Sequence, residues 1–489
     1  MHFRVTQNAF RNLTGASFKQ PYFWISWGVT LLSIIISLFP AIINGFPILY
    51  SDSGTYIERA FSNIPPADRS IGYSWWIRAT SWQTGLWPVI IAQAWISVIL
   101  FKDFIYQYQI PYRHVVLVVL TLILSCCSAY AYTVCHILAD AFAPLGVISL
   151  WLWWRFPSVT LGKKIFWLSL WTISIGVHYS HFLTGFVFLI VGIGLLATGS
   201  IYSRFKRGLL PIGIWIVVGL LLSWQQYLHN RPFTLNPGAP VFLVARFCEN
   251  NYVQNYLTKA CTEKRWDLCS NQADIPSNPM SFLWDTQHSA LYKTYWPKQL
   301  ANATNDDMFV IAALDCKEIL EGMLKDPKTR EGMLTEVVNG TSMQLFKNDI
   351  ALDWGPYGEH SAPLSAITNR VPEDLPAFQA SGQQTGGWVH FYWLNTWQWW
   401  SIQGLWVLLL LLWRHPQTDL KEMFRFAIWV FLLLFINAFI TGGLANVYDR
   451  LQTRVFWVIW LLPLPALSSY LKSFFTKFKR VEIPSEKPM

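Results

Sequence analysis

Ten apolar stretches recur along the chain, near residues 24-44, 86-104, 114-133, 136-154, 164-178, 182-200, 208-228, 396-413, 424-444 and 455-473. Most approach the roughly 20 residues that a helix needs to cross a hydrocarbon core of about 30 Å. The short connections between them alternate between basic and charge-poor. Arg4, Arg11 and Lys19 precede the first stretch, and Arg155, Lys163 and Lys164 follow the fourth. Arg204, Lys206 and Arg207 follow the sixth, Arg414, Lys421 and Arg425 the eighth, and Lys472, Lys477, Lys479 and Arg480 the tenth. Basic connections stay in the cytoplasm. The pattern therefore predicts an all-α polytopic membrane protein of about ten transmembrane helices, with both termini inside.

Composition agrees. Of 489 residues, 53% are hydrophobic and only 13% charged, whereas about a quarter are charged in a soluble domain. The net charge of +9 sits in the cytoplasmic connections and tail, where it sets orientation and attracts lipid headgroups. No nucleic-acid partner is expected. Tryptophan is abundant, with 28 residues, and Trp75, Trp76, Trp82, Trp87, Trp151, Trp153, Trp154, Trp397, Trp399 and Trp400 fall at expected span ends, as in an interfacial belt. The first apolar run follows some twenty polar residues and is too long for a cleaved signal, so it reads as a retained anchor.

Three blocks follow: residues 1-228 with seven spans, 229-395 as one mostly helical extracytoplasmic domain, and 396-489 with three spans and a basic tail. The middle block holds Cys248, Cys261, Cys269 and Cys316, enough for two disulfides in an oxidising compartment. It also holds sequons at Asn302 and Asn339. The first outer connection, 45-85, contains two short helix-like pieces split by Pro65 and Pro66. Ser51, Asp52 or Ser53 is placed to cap the first piece, whose apolar side is Tyr56, Ile57, Ala60 and Phe61.

Ionisable residues gather at the outer ends of the spans. Asp52 lies just beyond the first, with Arg59 as its one neighbouring cation. His136 and Asp140 are four apart, which predicts one helical face at the start of the fourth span, and an ionisable group inside a span signals function because its burial is costly. His178 and His181 flank the turn between the fifth and sixth spans; two histidines fall short of a zinc site and suit substrate hydroxyls or phosphate. Arg450 and Arg454 sit at the outer mouth of the last span, against the orientation rule, where a lipid phosphate would reward them.

This order resembles the GT-C fold of integral-membrane glycosyltransferases that use polyprenyl-phosphate sugar donors, and comes closest to uncharacterised bacterial members. "YSDSGTYIERA" matches the first outer loop, with Asp52 at the acid taken as catalytic base. "DRSIGYSWWIRATSWQTGLWPVIIAQAW" is similar to the Gly-Tyr segment that leads into a Gln-containing span. "HILADAFAPLGVISLWLWW", "VHYSHFLTG" and "YDRLQTRVFWVIWLLPL" resemble the regions that carry a further acid, a histidine and an arginine. The resemblance implies substrate contacts from Tyr56, Arg69, His136, Asp140, His178, His181, Arg450 and Arg454. It implies an inverting transfer to a glycan, lipid or protein acceptor at the outer face of a bacterial inner membrane, with the large domain in the periplasm. It assigns no certain cofactor and leaves room for a divalent cation, Mg or Mn. A lipid or polysaccharide transporter or flippase, or a polysaccharide ligase or polymerase, is the alternative, although a carrier places its polar groups near mid-membrane.

Overall fold

The computed structural model describes residues 21–82, 84–196, 200–301, 308–350, 354–387, 392–414, 419–468 and 470–471. The basic N-terminus, the tail beyond Leu471 and the Asn302 sequon lie outside them. Among the described residues the regular elements are helices, and the one extended pairing is an isolated parallel bridge between Ile48 and His136. Each of the ten apolar stretches contains a helix. Among the described residues, four helices are long and apolar enough to cross a membrane by length and composition: Trp87–Gln107, Phe205–Tyr227, Leu420–Gly443 and Asp449–Ser468. Three shorter apolar helices accompany them, at Phe23–Ser37, Arg113–Cys127 and Tyr179–Gly194. These features are compatible with an integral membrane protein.

Within the apolar helices, hydroxyls bond back to carbonyls one turn earlier. Ser37 donates to Ser33, Ser97 to Gln93, Thr121 to Leu117 and Thr172 to Leu168, all at 2.7–2.9 Å. Such side chains meet their hydrogen-bond demand without water. Burial separates the helices by position. Only 28% of the apolar window of Phe205–Tyr227 is buried, leaving Leu209, Val217 and Leu221 more than half exposed, whereas 61% is buried in Asp449–Ser468. The first therefore lies on the periphery and the second near the axis of the bundle.

One core runs from Ile34 to Leu464, and several of its largest members are tryptophans. Trp151, Trp154, Trp167, Trp171, Trp429 and Trp457 are almost wholly buried. The indole of Trp151 donates to Tyr108 and that of Trp429 to the Val147 carbonyl, as a buried Trp N–H requires. The expected interfacial belt is thus corrected for Trp151 and Trp154, which are core. Trp82, Trp397, Trp399 and Trp400 remain exposed.

The 229-395 stretch divides between two cores. Residues from Val241 to Met333, joined by Ala67 of the first outer connection, form a second core. Ile350, Ala366, Ile367, Val371 and Phe378 belong to the first, because the Ala362–Arg370 helix lies on the Ser51–Ser62 helix. The approach is close: a Cβ on Gly54 would sit 2.3 Å from the Ala362 carbonyl carbon. Arg370 and Glu58 pair across the same contact at 2.5 Å. Cysteine pairing is also settled: Cys261 and Cys269 form a disulfide, while Cys248 and Cys316 are buried free thiols. The second disulfide that the cysteine count permitted is absent from this structure. The Asn339 side chain is exposed, but Thr341 of its sequon is buried and bonded to the Val337 carbonyl.

Candidate functional site

Two of the helices fix the ends of the bundle. Arg155 closes the Phe142–Arg155 helix and pairs with Glu422, in the first turn of Leu420–Ala438, at 2.5 Å. Asp140 lies just before the start of the former, and Asn437 lies in the last turn of the latter. Fourteen helical residues span about 21 Å, so the two charge groups occupy opposite ends of the bundle. Lys163 and Asp103 join the Arg155 end at 3.2 Å.

The other end gathers a chain of six alternating charges. Asp68 pairs with Arg69 at 2.5 Å and Arg69 with Asp52 at 2.9 Å. Asp52 pairs with Arg450 at 3.0 Å, Arg450 faces Asp140 at 3.9 Å, and Asp140 pairs with Arg454 at 2.8 Å. Three acids and three bases leave the chain neutral. Its members come from three distant sequence regions, and exposure peaks inside it, at 31% for the Asp52 side chain, and falls to 1% at Arg454. Asp52 is the most accessible member.

Local structure explains how each residue is presented. Ser51 begins the Ser51–Ser62 helix, with Tyr50 as its N-cap. The Tyr50 N–H donates to Ser53 Oγ at 2.9 Å, so Ser53 supplies the local hydroxyl and the Asp52 carboxylate is left free for the arginines. A carboxylate in the first turn is also stabilised by the helix dipole. The partner cations are Arg69 and Arg450; Arg59, the neighbour expected from sequence, is not one of them. Burial acts to raise the Asp52 carboxyl, but the Arg69 and Arg450 guanidiniums outweigh it and hold the group well below the usual carboxylate range. Arg450 lies over the Tyr50 ring at 4.2 Å and Arg69 over that of Tyr56 at 5.5 Å.

The helical face expected for His136 and Asp140 is corrected. His136 is extended, at φ −76° and ψ 139°, and caps the short Tyr130–Cys135 helix. Asp140 lies in a single 3-10 turn, and the long helix starts only at Phe142. The cause is the bridge to Ile48, whose N–H donates to Cys135 O and whose carbonyl accepts from Ile137, both at 3.0 Å. Gln93 holds the break from a third element. Its side chain donates to the Val134 and His136 carbonyls at 2.7 and 3.1 Å and accepts from the Tyr73 hydroxyl at 2.7 Å.

His178 is the N-cap of the Tyr179–Val191 helix, and its Nδ1 accepts from the Ser180 N–H at 3.1 Å. His181 Nδ1 meets the Ser174 carbonyl at 3.3 Å, and the two rings are 5.0 Å apart. Arg454 reaches this group through Ser180 Oγ at 3.1 Å. It also donates to Asn437 through Nε and Nη2, and to Asp140 through Nη1. Four of its N–H groups, out of the five an arginine carries, therefore serve the protein itself. Arg454 is 1% exposed, while Arg450, the other arginine expected to meet phosphate, is 20% exposed.

A small cavity of about 20 Å³ adjoins Arg450, and its lining includes Tyr50, Tyr132, His136, Asp140 and Trp354. Trp354 and Asp349 are contributions that sequence reasoning missed, since "NDIALDWGPYG" has no periodicity to flag them. Asn437 and Gln93 did carry a signal, each being a lone amide within an apolar stretch, 424-444 and 86-104. Among the described residues no group of three or more His, Cys, Asp or Glu side chains is placed to hold a metal ion, and both Asp52 and Asp140 are engaged by guanidiniums. Comparison with protein-family models, curated proteins and solved structures finds no match.

Proposed function

We propose that the chain is a membrane glycosyltransferase with ten spans, both termini cytoplasmic, and the Asp52 end of the bundle on the periplasmic side of a bacterial inner membrane. It moves a sugar from a polyprenyl-phosphate donor to a hydroxyl acceptor. The observation that carries the reading is the Asp52–Arg69–Arg450 triad, in which an accessible carboxylate sits between two guanidiniums at 2.9 and 3.0 Å.

The chemistry follows from that arrangement. The acceptor hydroxyl gives its proton to Asp52 and its oxygen attacks the anomeric carbon, while the bond from that carbon to the phosphate oxygen breaks. The phosphodiester monoanion leaves as a phosphomonoester that carries one more negative charge, and inversion results from in-line displacement. Arginines aimed at that developing charge stabilise the transition state more than the ground state. The neutral ion chain also explains how the base is activated. As long as both arginines bind Asp52, its proton affinity is low, which makes it a weak base. A donor phosphate that draws Arg69 or Arg450 away restores part of that affinity at the moment of need. No covalent nucleophile is required.

The test is sugar transfer in membranes that carry the Asp52→Asn chain, supplied with a labelled polyprenyl-phosphate sugar pool. Expression and insertion at wild-type level with transfer reduced at least about 100-fold, the lower range for a positioned base, fits the proposal. Wild-type turnover in that variant removes Asp52 as the base.

A further inference from the structure

The bundle end opposite Asp52 carries two cations that the fold leaves uncompensated. Lys102 precedes Gln107, the last residue of the Trp87–Gln107 helix, by a turn and a half, which is about 7 Å at the helical rise. Its ammonium donates to Ser26 Oγ at 2.9 Å and Thr30 Oγ1 at 3.2 Å, both on the Pro21–Ser37 helix. Hydroxyls satisfy the donors but leave the charge. Arg113 opens the Arg113–Cys127 helix and stacks on the Tyr106 ring at 4.2 Å. Among the described residues the salt bridges at this end, Lys163–Asp103, Arg155–Glu422 and Arg425–Glu422, include neither cation. The neighbouring acid, Asp103, is taken by Lys163 at 3.2 Å and by the Trp167 indole N–H at 3.0 Å. Lys102 and Arg113 are close enough to act on each other electrostatically, so each makes the other's charge more costly. A cation set within an apolar segment without a counter-charge marks a functional position.

The surroundings select the ligand class. Two unneutralised cations favour a group of net negative charge, and a guanidinium beside an ammonium suits phosphate oxygens. The start of the Arg113–Cys127 helix adds partial positive charge, because the Tyr112 side chain makes no cap hydrogen bond there. Away from the rim the wall is apolar. Lys102 lies over Trp27 at 6.0 Å, and Trp27 meets Trp95 edge-on at 6.2 Å. Leu31 on the first helix and Ile91 on the second continue the same exposed surface away from the bundle end. From Lys102 back to Ile91 is about 16 Å of helix, close to half of a hydrocarbon core of about 30 Å. A cationic rim above an apolar track one leaflet long favours a phospholipid over a free phosphate, which makes no use of the track.

We infer that the surface shared by the Pro21–Ser37 and Trp87–Gln107 helices binds an anionic phospholipid, its phosphate on Lys102 and Arg113 and an acyl chain along Trp27 and Trp95. A zwitterionic headgroup brings its own cation toward these two and binds more weakly. The site is distinct from the general attraction of basic connections for anionic lipid, because Lys102 lies within a span and is held there by Ser26 and Thr30. The inference rests on the membrane placement proposed above and is independent of the transfer chemistry, since Asp52 and Arg450 lie at the other end of the bundle.

The experiment is native mass spectrometry of the delipidated full chain in an uncharged detergent, titrated with phosphatidylglycerol, phosphatidylethanolamine and phosphatidylcholine of identical acyl chains. Phosphatidylglycerol should bind about tenfold or more tighter than either zwitterionic lipid, and Lys102→Gln/Arg113→Gln should remove that preference. Lys102→Arg/Arg113→Lys, which keeps both charges, should retain it and guards against a folding defect in the glutamine variant. Arg204→Gln/Arg414→Gln, which takes two charges from other basic connections, should leave it unchanged. Equal affinity for the three lipids, or a preference that survives Lys102→Gln/Arg113→Gln, overturns the inference. So does a preference that falls as far in Arg204→Gln/Arg414→Gln, which reduces it to overall charge, and so does displacement by excess inorganic phosphate or glycerol phosphate, which makes the site one for a free phosphate. Sugar transfer in Asp52→Asn separates the two claims. A Lys102-dependent lipid preference beside wild-type transfer in that variant keeps this site and sinks the transferase mechanism; lost transfer without any lipid preference does the reverse.

Discussion

Replacing Arg454 with alanine should unfold the site end of the bundle, and the size of the effect follows from what the guanidinium holds. The side chain is 1% exposed and its Asp140 partner 7%, so solvent screens the pair little. Breaking a buried pair by deleting one member costs about 3–5 kcal/mol, because the remaining charge stays buried. Arg450, at 3.9 Å, is too distant to replace the lost hydrogen bonds. Asn437 Oδ1 also loses two donors, adding about 1 kcal/mol. Chemical denaturation of the detergent-solubilised chain, followed by circular dichroism, should show Arg454→Ala destabilised by about 4 kcal/mol. The double variant Asp140→Leu/Arg454→Met should recover most of that loss, since an apolar pair of similar volume is often neutral. An Arg454→Ala chain within about 1 kcal/mol of wild type, on the scale of exposed pairs, or a double variant that falls by the simple sum of its singles, refutes the reasoning.

Further outcomes follow from other contacts. Gly54→Val should push the Ala362 backbone off the Ser51–Ser62 helix and expose the 58–370 region to proteolysis, which limited trypsin digestion measures; unchanged cleavage contradicts the close approach. Cys261→Ser should lower stability by about 2.5 kcal/mol, because the disulfide closes a loop whose ends are 8 residues apart and that is the loop-closure value for such a length; an equal midpoint with and without reductant would rule it out. For pH, the folded carboxyl of Asp52 lies below its reference value of 3.8, so the unfolded chain binds more protons between the two values and stability rises with pH there. Its contribution is full above about pH 5 and is lost as pH falls below about 4. Asp52→Asn should flatten that acid limb in pH-dependent denaturation, and an unaltered limb contradicts the ion pairs.

The apolar segments were legible because lipid-facing and core-facing residues alike are hydrophobic, so each stretch stands out whatever it packs against. Asp52, Asp140, Arg450 and Arg454 could be picked from the chain because a charge at the end of an apolar run needs a partner, whereas Arg69, inside a polar connection, entered only through the family resemblance. Which partner it takes is another matter. Asp52 and Arg450 are 398 residues apart, and nothing local distinguishes Arg450, which stays accessible, from Arg454, which is buried. The break at His136 was hidden because apolar residues continue across it, and the strand-like bridge that causes it comes from Ile48, 88 residues earlier. The tryptophans misled for a related reason: Trp151 and Trp154 lie at the end of an apolar run in sequence, but neighbouring helices cover them. The packing of Ile350–Phe378 on the first outer loop depends on Gly54 leaving room for a backbone, a fit that no composition reveals.

The central claim is that the guanidiniums around Asp52 hold a lipid phosphate, and native mass spectrometry of the purified chain titrated with polyprenyl phosphate measures that most directly. A single lipid phosphate should bind the wild type, with affinity reduced about tenfold or more in Arg450→Ala and in Arg69→Ala, and the neutral polyprenyl alcohol, which has the same chain without the phosphate, should not compete. Equal retention of polyprenyl phosphate and polyprenyl alcohol, or affinity unchanged in both arginine variants, would contradict it.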